Sequence, residues 1–599
     1  MKNNYLKILA ILSKHDRRQL YLLFLIMLAM GGLEFIGIGA IMPFMAAVSD
    51  MDGMLEQEQL RYLYDLFGFA GKESFVIFLG STVLTLLIAR NIFFALSNWL
   101  VSRFSFMWRH HLSERLLFKY LMQPYAFFLS NNTLELKRNA TGEITRLVDG
   151  VIVPGIQLLT KIIIALFIVV LLVIVNPYVA FLIAVTFGGG YAVLYGLTFR
   201  TMNRLSRQAH ATRRTQFKLV GEVFEGIKEL KLSGTERDFI DNYSTISHKN
   251  ARIEIASRTI SQLPRYGIET LAVSIIMLFV MYLVATGGDV SSWMPILAVY
   301  VLAGYRLLPA LQEIFSGLTT IRYNLVTLDY LHEDFTGLEA VKPIQSDMLD
   351  ARAGFHQFRT IRFNDLSFRY PQGGDYAIRE MNLVIDRNTT VGLVGPTGSG
   401  KTTVVDTILG LLRPVSGELA VNDIVVTQDN VRGWQQCIGY VPQHIYLFDD
   451  TIAKNIAFGV AHEDIDRVAL ERATRIASLH DYIVNELPDG YDTIVGQRGL
   501  RLSGGQQQRI GIARALYHKP EILVLDEATN ALDSITEKVV MDAIRLMSHK
   551  LTIIMIAHRL NTVKNCDVIH YIDKGRIVSS GTYSELSNSC GHFQKMVKV

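Results

Sequence analysis

Cysteine is scarce: three residues in 599, Cys437, Cys566 and Cys590, all in the last third of the chain. That excludes a disulfide-stapled fold and fits a reduced, cytosolic setting for that part. Charge is also short. Only 19% of residues are charged against 50% hydrophobic, and the mean hydropathy of +0.26 is high for a soluble protein. The formal net charge of +4 is too small an excess to point to a nucleic-acid partner. No cleavage site follows the first apolar run, which is long and leads into further runs, so a removable secretory leader is not expected.

The apolar residues are not spread evenly. They crowd into the first 330 positions, while the last 245 have the mixed composition of a soluble α/β domain. A chain of this length exceeds one ordinary core, so at least two domains are expected. A membrane helix needs about 20 mostly apolar residues. Six stretches qualify: about Leu20 to Val48, Ser74 to Leu100, Val151 to Val175, Val179 to Phe199, Ile268 to Thr286 and Trp293 to Ile314. Asn176 and Pro177 turn the third into the fourth, and Gly287, Gly288 and Asp289 turn the fifth into the sixth. Lys2, Lys7, Lys14, Arg17 and Arg18 precede the first run and favour a cytoplasmic N-terminus.

The loops after the second and fourth spans are then cytoplasmic, long and rich in Arg and Lys. Their amphipathic pattern, as in Glu222 to Lys231, predicts membrane helices continued into the cytoplasm, with short elements touching the soluble domain. In the first outer loop, Leu55 to Phe67 has apolar residues at helical spacing. It reads equally as a helix lying on the outer face or as one packed on the rest of the domain. The expected organisation is a membrane domain over 1–332, a linker over 333–355 and a nucleotide-binding domain over 356–599.

Val391 to Val394 reads as a buried strand running into Gly395, Pro396, Thr397, Gly398, Ser399, Gly400, Lys401 and Thr402, then a helix that takes in Thr403. This is GxxxxGKT in its required strand–loop–helix setting. The glycines let backbone N–H groups curl around phosphate oxygens, and the helix N-terminus adds a favourable dipole. Lys401 suits the β- and γ-phosphates and Thr402 suits Mg²⁺. A second apolar strand, Ile522 to Leu525, ends in Asp526 and Glu527. The strand delivers Asp526 to the metal, and Glu527 can polarise an attacking water. Leu502, Ser503, Gly504, Gly505 and Gln506 open a helix and form another phosphate cradle. Two cradles in one chain of ordinary size cannot hold one nucleotide.

LSGGQ between a P-loop and LVLDEAT resembles the ATP-binding-cassette (ABC) ATPase family. The six-span layout before it resembles an exporter half-transporter, so the resemblance covers the whole chain. It implies a fold of an α-helical membrane domain, six transmembrane helices with long cytoplasmic extensions, fused to an α/β P-loop ABC ATPase domain. It implies head-to-tail pairing with a second copy, in which Ser503 to Gln506 of one chain cover the ATP of the other, and Asn530 to Asp533 resembles the D-loop, with Asp533 expected to bind nucleotide. ATP and Mg²⁺ are the expected cofactors. By the same resemblance Tyr370 stacks on adenine, Gln443 reaches Mg²⁺ alongside Thr402 and Asp526, Glu527 is the catalytic base, and His558 is the switch histidine. Two positions depart from the commoner pattern: Gln497 where Glu is more usual, and Asn530 where Ser is. No catalytic residue is lost, so both sites of a homodimer are expected to hydrolyse ATP.

The cargo must be sought in the membrane half. Arg90 lies inside the second span, Arg306 inside the sixth, and Arg265 where the fifth enters the membrane. Charges there are costly and usually functional. Three guanidiniums on three helices either converge on a cavity that takes a phosphate or pyrophosphate, or snorkel or pair, for instance with Glu34. Met42 to Phe44, Ala89 with Arg90, Leu263 to Arg265 and Tyr305 to Pro309 resemble the bacterial PglK-type flippases of protein glycosylation. That resemblance implies a lipid-linked oligosaccharide on polyprenyl pyrophosphate as substrate, moved from inner to outer leaflet of a bacterial inner membrane. The alternatives are export of a peptide or drug, flipping of lipid A or a phospholipid, and a non-transporting regulator. Without a peptidase-like Cys/His domain before the first span, the subclass of peptide exporter that carries one is not expected.

Overall fold

The computed structural model describes residues 2–49, 62, 64–66, 69, 71–183, 185, 188–285, 290–338, 355, 357–371, 373–496, 499, 502–527, 534–546, 551–557 and 560–597. The expected helix from Leu55 to Phe67 lies mostly outside them; Tyr62 and residues 64–66 are helical. The chain divides into two compact units. One comprises Met1–Gln123 and Asn131–Val341, the other Pro124–Ser130 and Lys342–Val599.

The first unit is helical. Helix Lys14–Gly39 is opened by a capping box, the Ser13 hydroxyl accepting from the Asp16 N–H and the Asp16 carboxylate accepting from the Ser13 N–H. Lys72–Leu121 is a continuous helix of 50 residues. At about 1.5 Å per residue it is about 75 Å long, more than twice a hydrocarbon core of about 30 Å. Glu236–Ala285 has the same length, and Val290–Gly337 runs through 48 residues. Among the described residues, Lys14–Val48, Glu73–Leu121 and Thr133–Val175 are long and apolar enough to cross a membrane.

Local breaks have identifiable causes. Asn176 is extended, and its side chain accepts from the Tyr178 N–H, which reverses the chain between Val153–Val175 and Pro177–Ile183. Gly226 ends Gly189–Glu225, and Gly234, at φ +66, closes Ile227–Ser233 in the left-handed conformation that favours glycine. The third span departs from expectation at its start. It is preceded by two π-helical turns, Asn139–Glu143 and Val148–Ile152, rather than opening as a regular helix at Val151.

The second unit is built on two sheets. Strands β1 (Thr360–Phe368), β2 (Ile378–Asp386), β4 (Ser416–Val421) and β5 (Ile424–Val425) form an antiparallel sheet in the order β2-β1-β4-β5. Strands β3 (Thr390–Val394), β6 (Ile438–Val441), β7 (Ile522–Asp526), β8 (Thr552–Ile556), β9 (Val568–Asp573) and β10 (Arg576–Gly581) form the other in the order β10-β9-β3-β8-β7-β6. Strands β6, β7, β8, β3 and β9 run parallel. Every residue of β7 and β8 is buried, because apolar runs without alternation are what a parallel sheet covered on both faces requires. Parallel pairing brings the C-terminal ends of β3 and β7 to the same edge, where ligands of such sheets bind. The short helix Tyr125–Ser130 belongs with this unit, with Ala126 packed on the core that holds Trp434 and Phe363.

Candidate functional site

The loop after β3 is shaped by glycine. Gly395 sits at φ +151, and a Cβ there would lie 2.0 Å from the Ile572 carbonyl oxygen. Gly400, at φ +105, would meet the Ala377 oxygen at 2.6 Å. No side chain fits either position, so both must be glycine. Lys401, 6% exposed, donates from Nζ to the Gly395 and Pro396 carbonyls at 2.9 Å each. Burial pulls its pKa down, against the charges of Glu527 and Asp526, which raise it. The Ser399 hydroxyl is buried without a partner among the described residues.

Tyr370 stands edge-on to Phe368, with ring centroids 5.0 Å apart, and its hydroxyl is 3.0 Å from that of Thr403. One predicted adenine contact is therefore tied to the helix that follows the phosphate loop. Tyr125 of the short helix feels the charges of both Tyr370 and Asp406, and burial raises its pKa.

Asp526 closes β7 and is buried. The Tyr440 hydroxyl reaches its Oδ2 at 3.4 Å, and the Tyr440 pKa is driven up by burial and then by the Asp526 charge. Asp406, buried on the helix Lys401–Ile408, is pushed up to about 6, first by burial and then by Asp526. Glu527 takes a left-handed φ of +50, rare for a residue with a side chain. Its N–H donates to the Ile556 carbonyl at 3.2 Å, and its Oε2 accepts from the Gln443 amide at 2.9 Å. The structure thus brings Gln443, Asp526, Glu527 and Lys401 to one edge of the sheet. Asp406 and Tyr440 were not expected there. A buried carboxylate in the apolar helix after the loop is the one signal that could have named Asp406.

Ser503 caps Gly504–Tyr517. Its hydroxyl accepts from the Gln506 N–H at 3.2 Å, while the Gln506 side chain accepts from the Ser503 N–H at 2.7 Å. The second cradle is therefore a well-formed helix start with Ser503 and Gly504 exposed. Gln508 reaches back to the Glu527 carbonyl at 3.5 Å. His558, Asp533, Asn530 and Gln497 lie outside the described residues.

The donor set for a divalent ion consists of oxygens: the Thr402 hydroxyl, the Asp526 carboxylate and the Gln443 amide. Hard oxygen ligands beside a phosphate cradle fit Mg²⁺ bound with a nucleotide. The turns that require glycine at Gly395 and Gly400 and the unpartnered Ser399 hydroxyl fit the nucleotide itself.

In the helical unit, Glu34 is 1% exposed and Arg90 6%. Arg90 binds Glu34 Oε2 through Nε and Nη2, donates from Nη1 to Asn91 Oδ1 at 2.8 Å, and lies over the Phe94 ring at 4.4 Å. Arg306 Nε stands 3.5 Å from the other Glu34 oxygen, with its side chain 32% exposed. Two of the three arginines thus meet at one carboxylate, so pairing with Glu34 is real for both. Arg265 is set apart. Its side chain is 65% exposed and lies 3.9 Å from Glu269, one helical turn on.

Residues 38–301 match the ABC transporter transmembrane region, and residues 378–530 match the ABC transporter family. The chain is 29% identical over 496 residues to an ATP-dependent lipid A-core flippase of Alkalilimnicola ehrlichii, covering 80% of each chain. A protein of the same description from Ralstonia nicotianae is 40% identical over 240 residues, 40% of each chain. The Arabidopsis thaliana ABC transporter B family member 22 is 42% identical over 227 residues, 38% of this chain but 18% of that far longer one. A bacterial Atm1-family ABC exporter with ATP bound superposes with a TM-score of 0.69 at 22% identity, over 97% of this chain and 98% of the other.

Proposed function

We propose that this chain, an ABC exporter half-transporter with a transmembrane region and an ATP-hydrolysing domain, moves a phosphate-bearing glycolipid across its membrane. The preferred cargo is an oligosaccharide on polyprenyl pyrophosphate, carried from the inner to the outer leaflet of a bacterial inner membrane. The observation that carries this reading is the cluster of two arginines on one buried carboxylate among the apolar helices. Two guanidiniums against one carboxylate leave a surplus positive charge where charge is most expensive, and a phosphate group is the partner that suits it.

The working unit in this reading is a pair of copies. In each site Lys401 and the backbone of Gly395 to Gly400 hold the phosphates of ATP. Thr402, Gln443 and Asp526 would hold Mg²⁺, which neutralises charge on the phosphates when bound. Glu527 orients and deprotonates the attacking water. Gln443, now hydrogen-bonded to Glu527, is placed to let it go as the site fills. Tyr370, Thr403 and the partner-facing Ser503 to Gln506, with Asp533 and His558, complete the site. Closure of the two ATPase domains reaches the membrane through the long helices, a population shift driven by nucleotide. Nucleic acid has no place in this reading; membrane lipid and a second copy do.

A second reading, flipping of a lipid A-type glycolipid, is favoured by the names of two relatives. Proteoliposomes separate the two. Wild type is offered a fluorescent polyprenyl-pyrophosphate oligosaccharide in one set and a fluorescent lipid A in another, with Glu527→Gln as the hydrolysis control. ATP-dependent movement of the first supports the preferred cargo. Movement of the second alone transfers the assignment to lipid A. Movement of neither, with ATPase intact, removes both.

A further inference from the structure

A carboxylate buried among apolar helices costs free energy unless it is paired, and Glu34 is paired twice. Its two oxygens are not used alike. Oε2 is saturated by Arg90, whose remaining contacts, Asn91 and the Phe94 face, leave it buried and spent. Oε1 faces Arg306 at 3.5 Å, an ion-pair contact too long for a hydrogen bond of normal strength. The Arg306 guanidinium also stands over the neighbouring Tyr305 ring, 5.7 Å away, and feels the charge of Arg90, and its side chain is a third exposed. Glu34, Arg90 and Arg306 come from three helices, Lys14–Gly39, Lys72–Leu121 and Val290–Gly337, so the carboxylate is the common tie between them.

We propose that Glu34 is the resident counter-anion of the cargo site: it fixes Arg90 as part of the wall and holds Arg306 as the exchangeable cation, which a cargo phosphate captures in competition with the carboxylate. The inference rests on the phosphate-bearing cargo proposed above. The two arginines then have different jobs. Arg306 meets the cargo, whereas Glu34 and Arg90 are positioning residues that act through it. The competition weakens binding and so speeds release. A transporter must let go of what it binds, and a built-in rival anion on a flexible cation does this without a second site. Removing the rival should tighten binding and slow turnover together.

The test uses the full chain in lipid nanodiscs, with undecaprenyl pyrophosphate as probe and its stimulation of ATPase as readout. Arg306→Gln keeps the Glu34–Arg90 pair, so it should melt as wild type does and lose stimulation. Glu34→Gln alone strands Arg90 without a carboxylate and should lower Tm. Adding Arg90→Gln removes the whole pair and should restore Tm. In that double variant Arg306 has no rival. Its half-saturating probe concentration should fall about tenfold while the maximal stimulated rate drops. A purely structural Glu34 would move Tm without splitting these two. A double variant that loses stimulation as fully as Arg306→Gln means that Arg90 binds cargo itself and overturns the inference. So does a double variant with wild-type half-saturation. If the double variant fails to fold, Glu34→Asp, which withdraws the carboxylate by one methylene from both arginines, must lower half-saturation even if the weakened Arg90 pair lowers Tm, and unchanged half-saturation overturns the inference. Wild type unresponsive to both this probe and lipid A defeats the cargo reading and this inference together. A responsive wild type with unaltered variants defeats this one alone.

Discussion

At the scale of single residues, two predictions separate chemistry from stability. Glu527 holds a left-handed backbone and a hydrogen bond from Gln443, both features of a side chain positioned rather than merely packed. Glu527→Gln should keep ATP binding and lower the hydrolysis rate by about 10²- to 10⁴-fold, the usual contribution of a positioned general base. Binding of a fluorescent ATP analogue and phosphate release, measured on the same sample, check both halves. His570, on the strand beside the phosphate loop, supplies a pH-dependent term. Burial lowers its pKa from 6.5 to about 4, and its ring sits 2.7 Å from the Ser580 hydroxyl. The folded state therefore refuses a proton that the unfolded chain accepts. His570 costs nothing above pH ~6.5, and stability is lost as pH falls from there toward ~4, by about 3 kcal/mol in all. His570→Gln should flatten that part of a Tm-against-pH curve and leave the curve above pH ~7 unchanged in slope.

At the scale of elements, what the sequence shows depends on whether a segment's environment is uniform. ILVLD and TIIMI are apolar throughout because both faces of the sheet are covered, and they fold as the strands expected. The phosphate loop was equally readable, because only glycine tolerates the positions of Gly395 and Gly400. The π-helical turns before Val153 were not, since a wide turn leaves the apolar period almost unchanged while shifting every later side chain around the axis. Nor could the pattern show that Arg90 and Arg306 share Glu34 while Arg265 sits with Glu269. Helical spacing fixes a face within one helix and says nothing about which helix it meets. The short helix Tyr125–Ser130 is the element with the most to test. It interrupts the membrane unit in sequence yet lodges Ala126 on the ATPase core, with Tyr125 beside Tyr370 and Asp406. Ala126→Asp places a charge on that apolar contact. Basal ATPase of the full chain should survive, while stimulation by cargo should fall at least several-fold; a variant stimulated like wild type would mean that this helix transmits nothing.

At the scale of the whole molecule, the proposed reading gives one chain two phosphate cradles, the loop from Gly395 to Thr402 and the helix start at Ser503 to Gln506, each completing a site on the other copy. Symmetry makes this testable without a structure of the pair. In an isologous dimer, where a residue of one copy meets a different residue of the other, two lesions in one chain fall in different sites. Lys401→Ala disables the first cradle and Gly504→Asp the second. Each variant alone puts one lesion in both sites and should be inactive. Co-expressed in equal amounts, half of the dimers are mixed. In these, one site collects both lesions and the other none, so about a quarter of all sites are intact. ATPase should return from near zero to about a quarter of wild type if the sites work independently, and to less if hydrolysis at one requires the other. Recovery would establish that the two cradles of a site come from different copies; no recovery at all, with mixed dimers demonstrated by two affinity tags, would mean either that both cradles of a site lie in the same chain or that neither site hydrolyses without the other. Recovery of ATPase without recovery of flipping would say that one hydrolysing site suffices for chemistry but that transport needs both.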